Sequence, residues 1–520
     1  MNSNDIIMMI TIALYLILMV VIGILFSKKN NSVGDFYLGG RKLGPIVTAM
    51  SAEASDMSSW LLMGLPGVAL LCGTAEASWT AIGLAIGTYL NWLIVAKRLR
   101  TYTKKCEAIT IPDFFQNRFR DKSHSLMGIA AIIILIFFVP YTASGFAACG
   151  KLFNSLFDVD YHVAMIISAI IIILYTSIGG FLAASTTDLI QSIVMTIALI
   201  VIVLFGVNVA GGFDAVIENA KELPGYLSLT MSHNISENTS SPYSFLTIIS
   251  TLAWGLGYFG MPHILLRFMA IEDSRKIKTS RRIASIWVVI SMAVAVFIGL
   301  VGNALMASGT VDAMETSDQS ERIVIRMANL LSEHGVIAAI FAGLVLAGIL
   351  ACTMSTADSQ LLTASSSMSE NLLKGVFKMK ISDRVSMIVA RIVLIVIAVL
   401  AVMLAWDQNS SVFAIVSFAW AGFGATFGPV VLAALFWKRS NRWGALAGMV
   451  SGGVMVFVWK YLIAPNCTDW GLGFLNVYEL LPAFIVAVIA IVVVSLITSK
   501  PDAEITEEFD EVNKLCKAKA

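Results

Sequence analysis

This sequence predicts an all-α integral membrane protein with about thirteen transmembrane helices, and three observations carry that reading. Hydrophobic residues make up 58% of the 520-residue chain and charged residues only 13%, outside the range of a water-soluble globular protein. Apolar stretches of about 20 residues recur along the whole length, each able to cross a hydrocarbon core about 30 Å thick as a helix. The polar and basic residues fall between those stretches, where connections belong; a β-barrel would show short alternating segments instead.

Taken in order, the spans lie near 5–27, 45–71, 76–96, 124–152, 160–180, 186–210, 244–270, 283–308, 335–370, 385–406, 411–437, 443–463 and 475–498. The first follows Asp5 rather than a basic region and leads to no small-residue cleavage motif, so it reads as an uncleaved span. Alternate crossing gathers Lys28, Lys29, Arg41 and Lys42 on one side, with the basic residues of 97–122, 275–282, 374–384 and 438–442. The positive-inside rule makes that side cytoplasmic. The opposite connections, 211–243 and 309–334, are acidic. An odd number of spans then puts the N-terminus outside and the C-terminus in the cytoplasm. The tail after Lys500 is short and polar, and reads as a solvated or frayed helix too small for a catalytic domain.

Composition also excludes function classes. A net charge of +1 with dispersed Lys and Arg offers no face for nucleic acid. Cys72, Cys106, Cys149, Cys352, Cys467 and Cys516 lie far apart, without the spacing of a zinc site or a disulfide framework. There is no HExxH, Walker loop or GxSxG elbow to support a membrane enzyme. A nutrient sensor would need a cytoplasmic signalling domain larger than this tail.

Three stretches break the membrane pattern. "SAEASDMSSWLLMGLPG" (51–67) puts Glu53 and Asp56 among Ser51, Ser55, Ser58 and Ser59. A carboxylate exposed to lipid costs several kcal/mol by most estimates, so an intramembrane acid faces a cavity, a partner or an ion. Three residues apart, the two acids share one helical face, and a bound cation would relieve their repulsion. The bland alternative places one acid at the membrane edge beside a loop Arg or Lys. "WGLGYFGMPH" (254–263) carries three glycines and a proline, which destabilise regular helix and free backbone groups for a substrate; tight helix packing explains them equally. "LACTMSTADSQLLTASSS" (350–367) sets Asp358 among small hydroxyls, which either bond their own helix or offer oxygen ligands to a hard cation such as sodium. Broken spans two and seven are five apart, the spacing of inverted repeats with a site at the midplane, although no residue-level repeat is visible.

These stretches, with "MSTADSQLL", "AWAGFGATFGPVVL" (419–432), "YTSIGGFLAASTTDLIQ" (175–191) and "FYLGGRKLGP" (36–45), resemble the proline-carrying branch of the sodium:solute symporter family over nearly the whole chain. The resemblance implies a leucine-transporter-like fold of two inverted five-helix repeats. It divides the chain into an N-terminal extra helix and loop (1–44), a first repeat of spans two to six (45–210), an outer loop (211–243) and a second repeat of spans seven to eleven (244–437). Two extra helices (438–498) and a cytoplasmic tail (499–520) follow. The implied activity is secondary active transport across the cell membrane, with inward sodium movement driving L-proline uptake by alternating access. Sodium is the co-transported ion and the bilayer the only other partner, with no obligatory protein partner.

By motif, the sodium site would use the backbone carbonyls of Ala54 and Met57, the carbonyl of Cys352, and the hydroxyls of Ser355 and Thr356, with Asp56 supplying negative charge and Ser58 assisting. The proline site would use the backbone around Ser58 and Ser59, Trp60, Tyr141, Thr142, Trp254, Tyr258 and Pro262: aromatic walls for a pyrrolidine ring, a π face for its ammonium, and free N–H donors for its carboxylate. Arg41 and Asp188 match family positions near the cytoplasmic side and imply gating or helix tethering. Glu53 stands where a small residue is expected in some members and Asp358 where a neutral one is, and both are candidates for stronger cation binding or a titratable group. A carrier of the same fold for another amino acid, a vitamin or a sugar is the alternative; the aromatic residues argue against a polyhydroxylated ligand.

Overall fold

A chain that crosses hydrocarbon satisfies its backbone hydrogen bonds within its own helices, so a sequence this apolar folds as a helical bundle. The computed structural model describes residues 3–27 and 32–518, so the predicted basic residues Lys28 and Lys29 lie outside the described residues. Among the described residues, ten helices are long and apolar enough to cross a membrane, and two further helix pairs each form a bent span. One of the ten, Tyr161–Val209, has 49 residues, which at about 1.5 Å per residue is more than twice a hydrocarbon core. It breaks at Gly180, whose φ of 66° suits a residue without Cβ, and so supplies spans five and six. Counted this way the described residues hold thirteen spans, the number that the sequence predicts.

Spans two and seven are the bent ones. Span two comprises Pro45–Asp56 and Trp60–Cys72, meeting at 60°. The first half ends at Met57, whose ψ of 67° leaves the helical region, and Ser58 N–H turns to the Asp56 carbonyl oxygen at 2.8 Å instead of continuing the ladder. Span seven comprises Phe245–Phe259 and Pro262–Ala270, meeting at 45°. Its tight Ala253–Phe259 turn lets Gly257 lie against the Trp420 indole of span eleven, where a Cβ would come within 1.9 Å of Nε1. Pro262 then opens the second half at the position where a missing N–H costs nothing.

The remaining spans are Ser3–Phe26 (one), Thr74–Lys105 (three), Ser125–Phe157 (four), Ser274–Ala307 (eight), Val336–Val376 (nine), Arg384–Leu404 (ten), Val412–Phe436 (eleven), Arg442–Asn466 (twelve) and Leu480–Ile497 (thirteen). Span nine packs on spans one, two, four, five and six, and its hydroxyl stretch is buried throughout. Spans one, ten and thirteen turn Leu14, Ile395, Val399 and Ile489 outward, as lipid-facing helices do. Span three outruns the expected 76–96 because the polar Ala96–Lys105 segment continues the helix with Lys and Arg heads that can reach the interface.

Two connections hold more structure than the sequence suggests. The 211–243 segment contains a helix, Phe213–Glu222, and an antiparallel hairpin of Met231–Asn234 with Thr239–Pro242, anchored where Tyr226 Oη donates to the Leu70 carbonyl oxygen at 3.0 Å. In 309–334, Glu321 is buried: it accepts from Lys151 Nζ at 2.8 Å and from the N–H groups of Val412 and Phe413 at 3.1 and 3.0 Å, capping span eleven. The tail is not a solvated or frayed helix. Ala503–Ala518 folds against the bundle, because Ile505, Phe509 and Val512 form an apolar stripe that the body buries.

Candidate functional site

The break in span two faces the hydroxyl-rich middle of span nine, and the break in span seven meets span two where Tyr258 reaches Asp56. Ser355 Oγ lies 2.7 Å from the carbonyl oxygen of Ala54 and 3.1 Å from that of Cys352, within donating distance of both. The structure thus brings Ala54, Cys352 and Ser355 together across two spans. Thr356 adjoins them with a buried Oγ1 that has no partner among the described residues. Met57, the first residue past the half-helix, is fully buried beside the same break.

Asp56 ends that half-helix. One carboxylate oxygen, Oδ2, accepts a short hydrogen bond from Tyr258 Oη of span seven; the other, Oδ1, is buried and has no partner among the described residues. Its carbonyl oxygen is approached by Trp60 Nε1 at 3.3 Å and Tyr141 Oη at 3.4 Å. Trp60 and Trp254 lie with ring centroids 6.4 Å apart. Trp254 stacks on Tyr478 at 5.1 Å, and Tyr258 meets Trp420 edge-on at 5.1 Å. Trp420 Nε1 donates to the Trp254 carbonyl oxygen at 2.7 Å, fixing the turn. The hydroxyls of Ser58 and Ser59 are buried and lack partners among the described residues. Pro262 is buried at the head of the second half of span seven, next to His263, whose ring meets Tyr141 at 6.4 Å. Thr142 turns elsewhere: Oγ1 donates to Gln360 Oε1 of span nine at 3.0 Å.

The four remaining candidates separate from this niche. Glu53 does not meet a loop base; Oε1 accepts from Trp92 Nε1 of span three at 3.0 Å, so it points toward span three rather than span nine. Asp188 Oδ2 accepts from Ser51 Oγ at 2.6 Å and from Arg267 Nη2 at 3.1 Å. Asp358 accepts from Tyr175 Oη at 2.9 Å and Ser359 Oγ at 3.0 Å. Arg41 lies in the first connection and donates to the carbonyl oxygens of Met269, Ala108 and Thr103 at 2.8, 2.6 and 3.1 Å. Burial, reinforced by the neighbouring Arg100, lowers its pKa to about 10, which leaves it charged at neutral pH.

Arg267 is the residue that sequence reading missed. Fully buried, its guanidinium joins Asp188 of span six, Ser51 of span two and Ser359 of span nine, and donates to the His263 carbonyl oxygen at 3.0 Å. A basic residue inside an apolar span was signal enough to find it. Tyr175, Trp92 and Trp420 were also missed; as aromatic residues in apolar runs they carry no local mark.

Chemically, the break of span two carries carbonyl and hydroxyl oxygens where it meets span nine and, two residues on, one carboxylate with no charge partner that meets Tyr258 of span seven; Trp60 and Trp254 pack beside it. Neutral oxygens with a single charge suit a monovalent ion better than a divalent one.

The sodium:solute symporter family model matches residues 36–452. The chain is 44% identical to the sodium/proline symporter of Haemophilus influenzae over 513 residues, covering 98% of each. It is 42% identical to the sodium/proline symporter of Escherichia coli, over 97% of this chain and 96% of that one. To the osmoregulated proline transporter OpuE of Bacillus subtilis it is 40% identical, over 98% and 99%. Among solved structures, a Na+-coupled sialic acid symporter, substrate-bound and outward-open, superposes with a TM-score of 0.76 at 18% identity over 95% of this chain and 99% of that one. MhsT in complex with L-phenylalanine superposes at 0.52 and 14% identity, over 88% and 98%. The fold is that of the leucine-transporter-like carriers.

Proposed function

The chain belongs to the sodium:solute symporter family, and from that premise we propose that it couples inward movement of sodium to uptake of L-proline. The observation that carries the reading is the contact of Ser355 Oγ with the Ala54 carbonyl oxygen at 2.7 Å, which sets the two predicted ligand groups of spans two and nine at one point beside a carboxylate without a cation. Sodium takes the carbonyl oxygens of Ala54, Met57 and Cys352 and the hydroxyls of Ser355 and Thr356. Asp56 neutralises the ion from beside this cage while its other oxygen stays with Tyr258.

Proline occupies the space beside Trp60, Tyr141, Trp254 and Tyr258, with its ring against the aromatic faces and its carboxylate toward the backbone N–H groups and hydroxyls at Ser58 and Ser59. Thr142, bound to Gln360, and Pro262, at the head of a half-helix, shape the walls. Sodium and proline share the broken segment of span two, so each favours the geometry the other needs, and the coupling is reciprocal. The two repeats, 45–210 and 244–437, rock around this point. Arg41 and the Asp188–Arg267 pair tether the side of the basic connections, which is cytoplasmic by charge bias; the N-terminus is then outside and the C-terminus inside. The activity is transport, with no chemical conversion of the solute.

The test is uptake of labelled proline by proteoliposomes under an imposed sodium gradient, with Asp56→Ala and Ser355→Ala as controls. Gradient-driven accumulation that both substitutions reduce supports the reading. Accumulation of a different amino acid with no competition by proline transfers the mechanism to another solute.

A further inference from the structure

The C-terminal helix Ala503–Ala518 plays no part in the site, yet it is held from three directions. Its apolar stripe packs inward, and Phe509 lies over the Arg118 guanidinium at 5.2 Å; Arg118 Nε in turn donates to the Ala434 carbonyl oxygen at the end of span eleven, at 2.9 Å. Its acids meet bases from separate parts of the body: Glu508 and Glu504 with Arg120 at 2.5 and 3.1 Å, Glu511 with Lys105 of span three at 2.9 Å, and Asp510 with Lys438, just past span eleven, at 2.5 Å. Lys97 of span three donates to the Cys516 carbonyl oxygen at 2.8 Å, where a cation favours a helix C-terminus.

What this helix joins matters for transport. The end of span three is bound to the second half of span seven, since Arg100 Nε donates to the Ile271 carbonyl oxygen at 2.7 Å and Arg41 bridges Met269 and Thr103. Span three therefore follows that half of the broken span, while Lys438 and Ala434 belong to the end of span eleven. Span three also meets that end directly, Arg98 Nη1 donating to the Leu435 carbonyl oxygen at 2.7 Å, and the helix adds a second, ionic tie between the two on the same face.

The tie is of a kind that salt loosens. Lys105 and Glu511 are 41% and 52% exposed, and Lys438 and Asp510 both 49%, so ions reach these pairs. The screening length falls from about 10 Å at 0.1 M salt to about 3 Å at 1 M. Under the C-terminal end of the helix a cavity of about 730 Å³, lined by Arg100, Lys104, Glu272, Arg275 and Leu515 among others, leaves this end incompletely packed.

We infer that the C-terminal helix is a salt-sensitive strap: docked at low ionic strength, it holds span three to the end of span eleven and slows opening of the transport path on its face, and rising salt releases it and speeds transport. The inference rests on the transport function proposed above.

The experiment uses full-length carrier in proteoliposomes, with sodium-driven proline uptake measured at potassium chloride, equal on both faces, from about 0.05 to 0.5 M, a range that more than halves the screening length. A sucrose series of equal osmolality runs in parallel. The expected result is an initial rate that rises severalfold with potassium chloride but not with sucrose. In the combined variant Glu504→Gln, Glu508→Gln, Asp510→Asn, Glu511→Gln, the rate is already high at low salt and flat thereafter. A flat wild-type response, or the same slope in the variant, overturns the inference. Amide hydrogen exchange over residues 503–518 of the wild type, which needs no variant to fold, is expected to quicken with potassium chloride; unchanged protection across the series also overturns it. Wild type that takes up no proline at any salt concentration sinks the transport reading instead, and the exchange measurement then decides whether the helix undocks.

Discussion

Asp56 and Asp188 are both fully buried acids, and the structure serves them differently. Asp188 receives a guanidinium from Arg267 and a hydroxyl from Ser51. Asp56 receives one hydroxyl from Tyr258 and no charged partner; in each of the two acids the second oxygen, Oδ1, has no partner among the described residues. A buried charge needs a counter-charge or full hydrogen bonding. At Asp188 the fold supplies a fixed cation that ties spans two, six, seven and nine together. At Asp56 it supplies none, and the oxygens of Ala54, Cys352 and Ser355 meet at the same break of span two. The difference is that between a structural tether and a place for a cation that comes and goes.

Removing the fixed cation should have the largest effect. Arg267→Gln leaves Asp188 without its charge partner, and breaking a buried pair costs roughly 3–5 kcal/mol; thermal unfolding of the detergent-purified protein should show a large fall in stability. Arg267→Lys should recover only part, because a point charge cannot reach Ser51, Asp188 and Ser359 together. Stability equal to the parent in the Gln variant would break the comparison at its structural end.

Next is the exchangeable end. Asp56→Asn keeps shape and removes charge, and loss of a charge-assisted interaction of about 2–3 kcal/mol corresponds to roughly 30- to 150-fold weaker sodium activation of uptake, while thermal stability changes little. Ser355→Ala removes one hydroxyl ligand and its contact with the Ala54 carbonyl oxygen; about 1–1.5 kcal/mol predicts close to a tenfold rise in the sodium concentration needed for half-maximal uptake. The smallest effect belongs to Glu53→Gln. The amide oxygen can still accept from Trp92 Nε1, and the side chain faces span three, so sodium activation should shift by less than about twofold, under 0.5 kcal/mol. A tenfold shift there would move Glu53 into the cation niche.

The parts of this account that were legible in the sequence are those whose signal is local. Gly257, Gly260 and Pro262 mark the break in span seven, and Glu53 and Asp56 in an apolar run mark that in span two. Gly180 is the last residue of the expected fifth span, and there the long helix breaks. Partners, by contrast, are set by packing. Arg267 bonds Asp188 and Ser51, 79 and 216 positions away, and nothing beside it announces either. Glu53 could have met any base or donor; that it meets Trp92 follows from how span three lies on span two. The apolar stripe Ile505, Phe509, Val512 is present in the tail, but the acids between those residues lower its hydropathy enough to hide a docking face.

The claim on which the comparison turns is that a cation at the break of span two completes the place where proline binds. Equilibrium binding of labelled proline to the purified carrier, in sodium chloride and in choline chloride at equal ionic strength, tests it most directly. Binding at least about tenfold tighter in sodium, a coupling of about 1.4 kcal/mol, is expected, as is its loss in Asp56→Asn. Equal affinity in the two salts would contradict it.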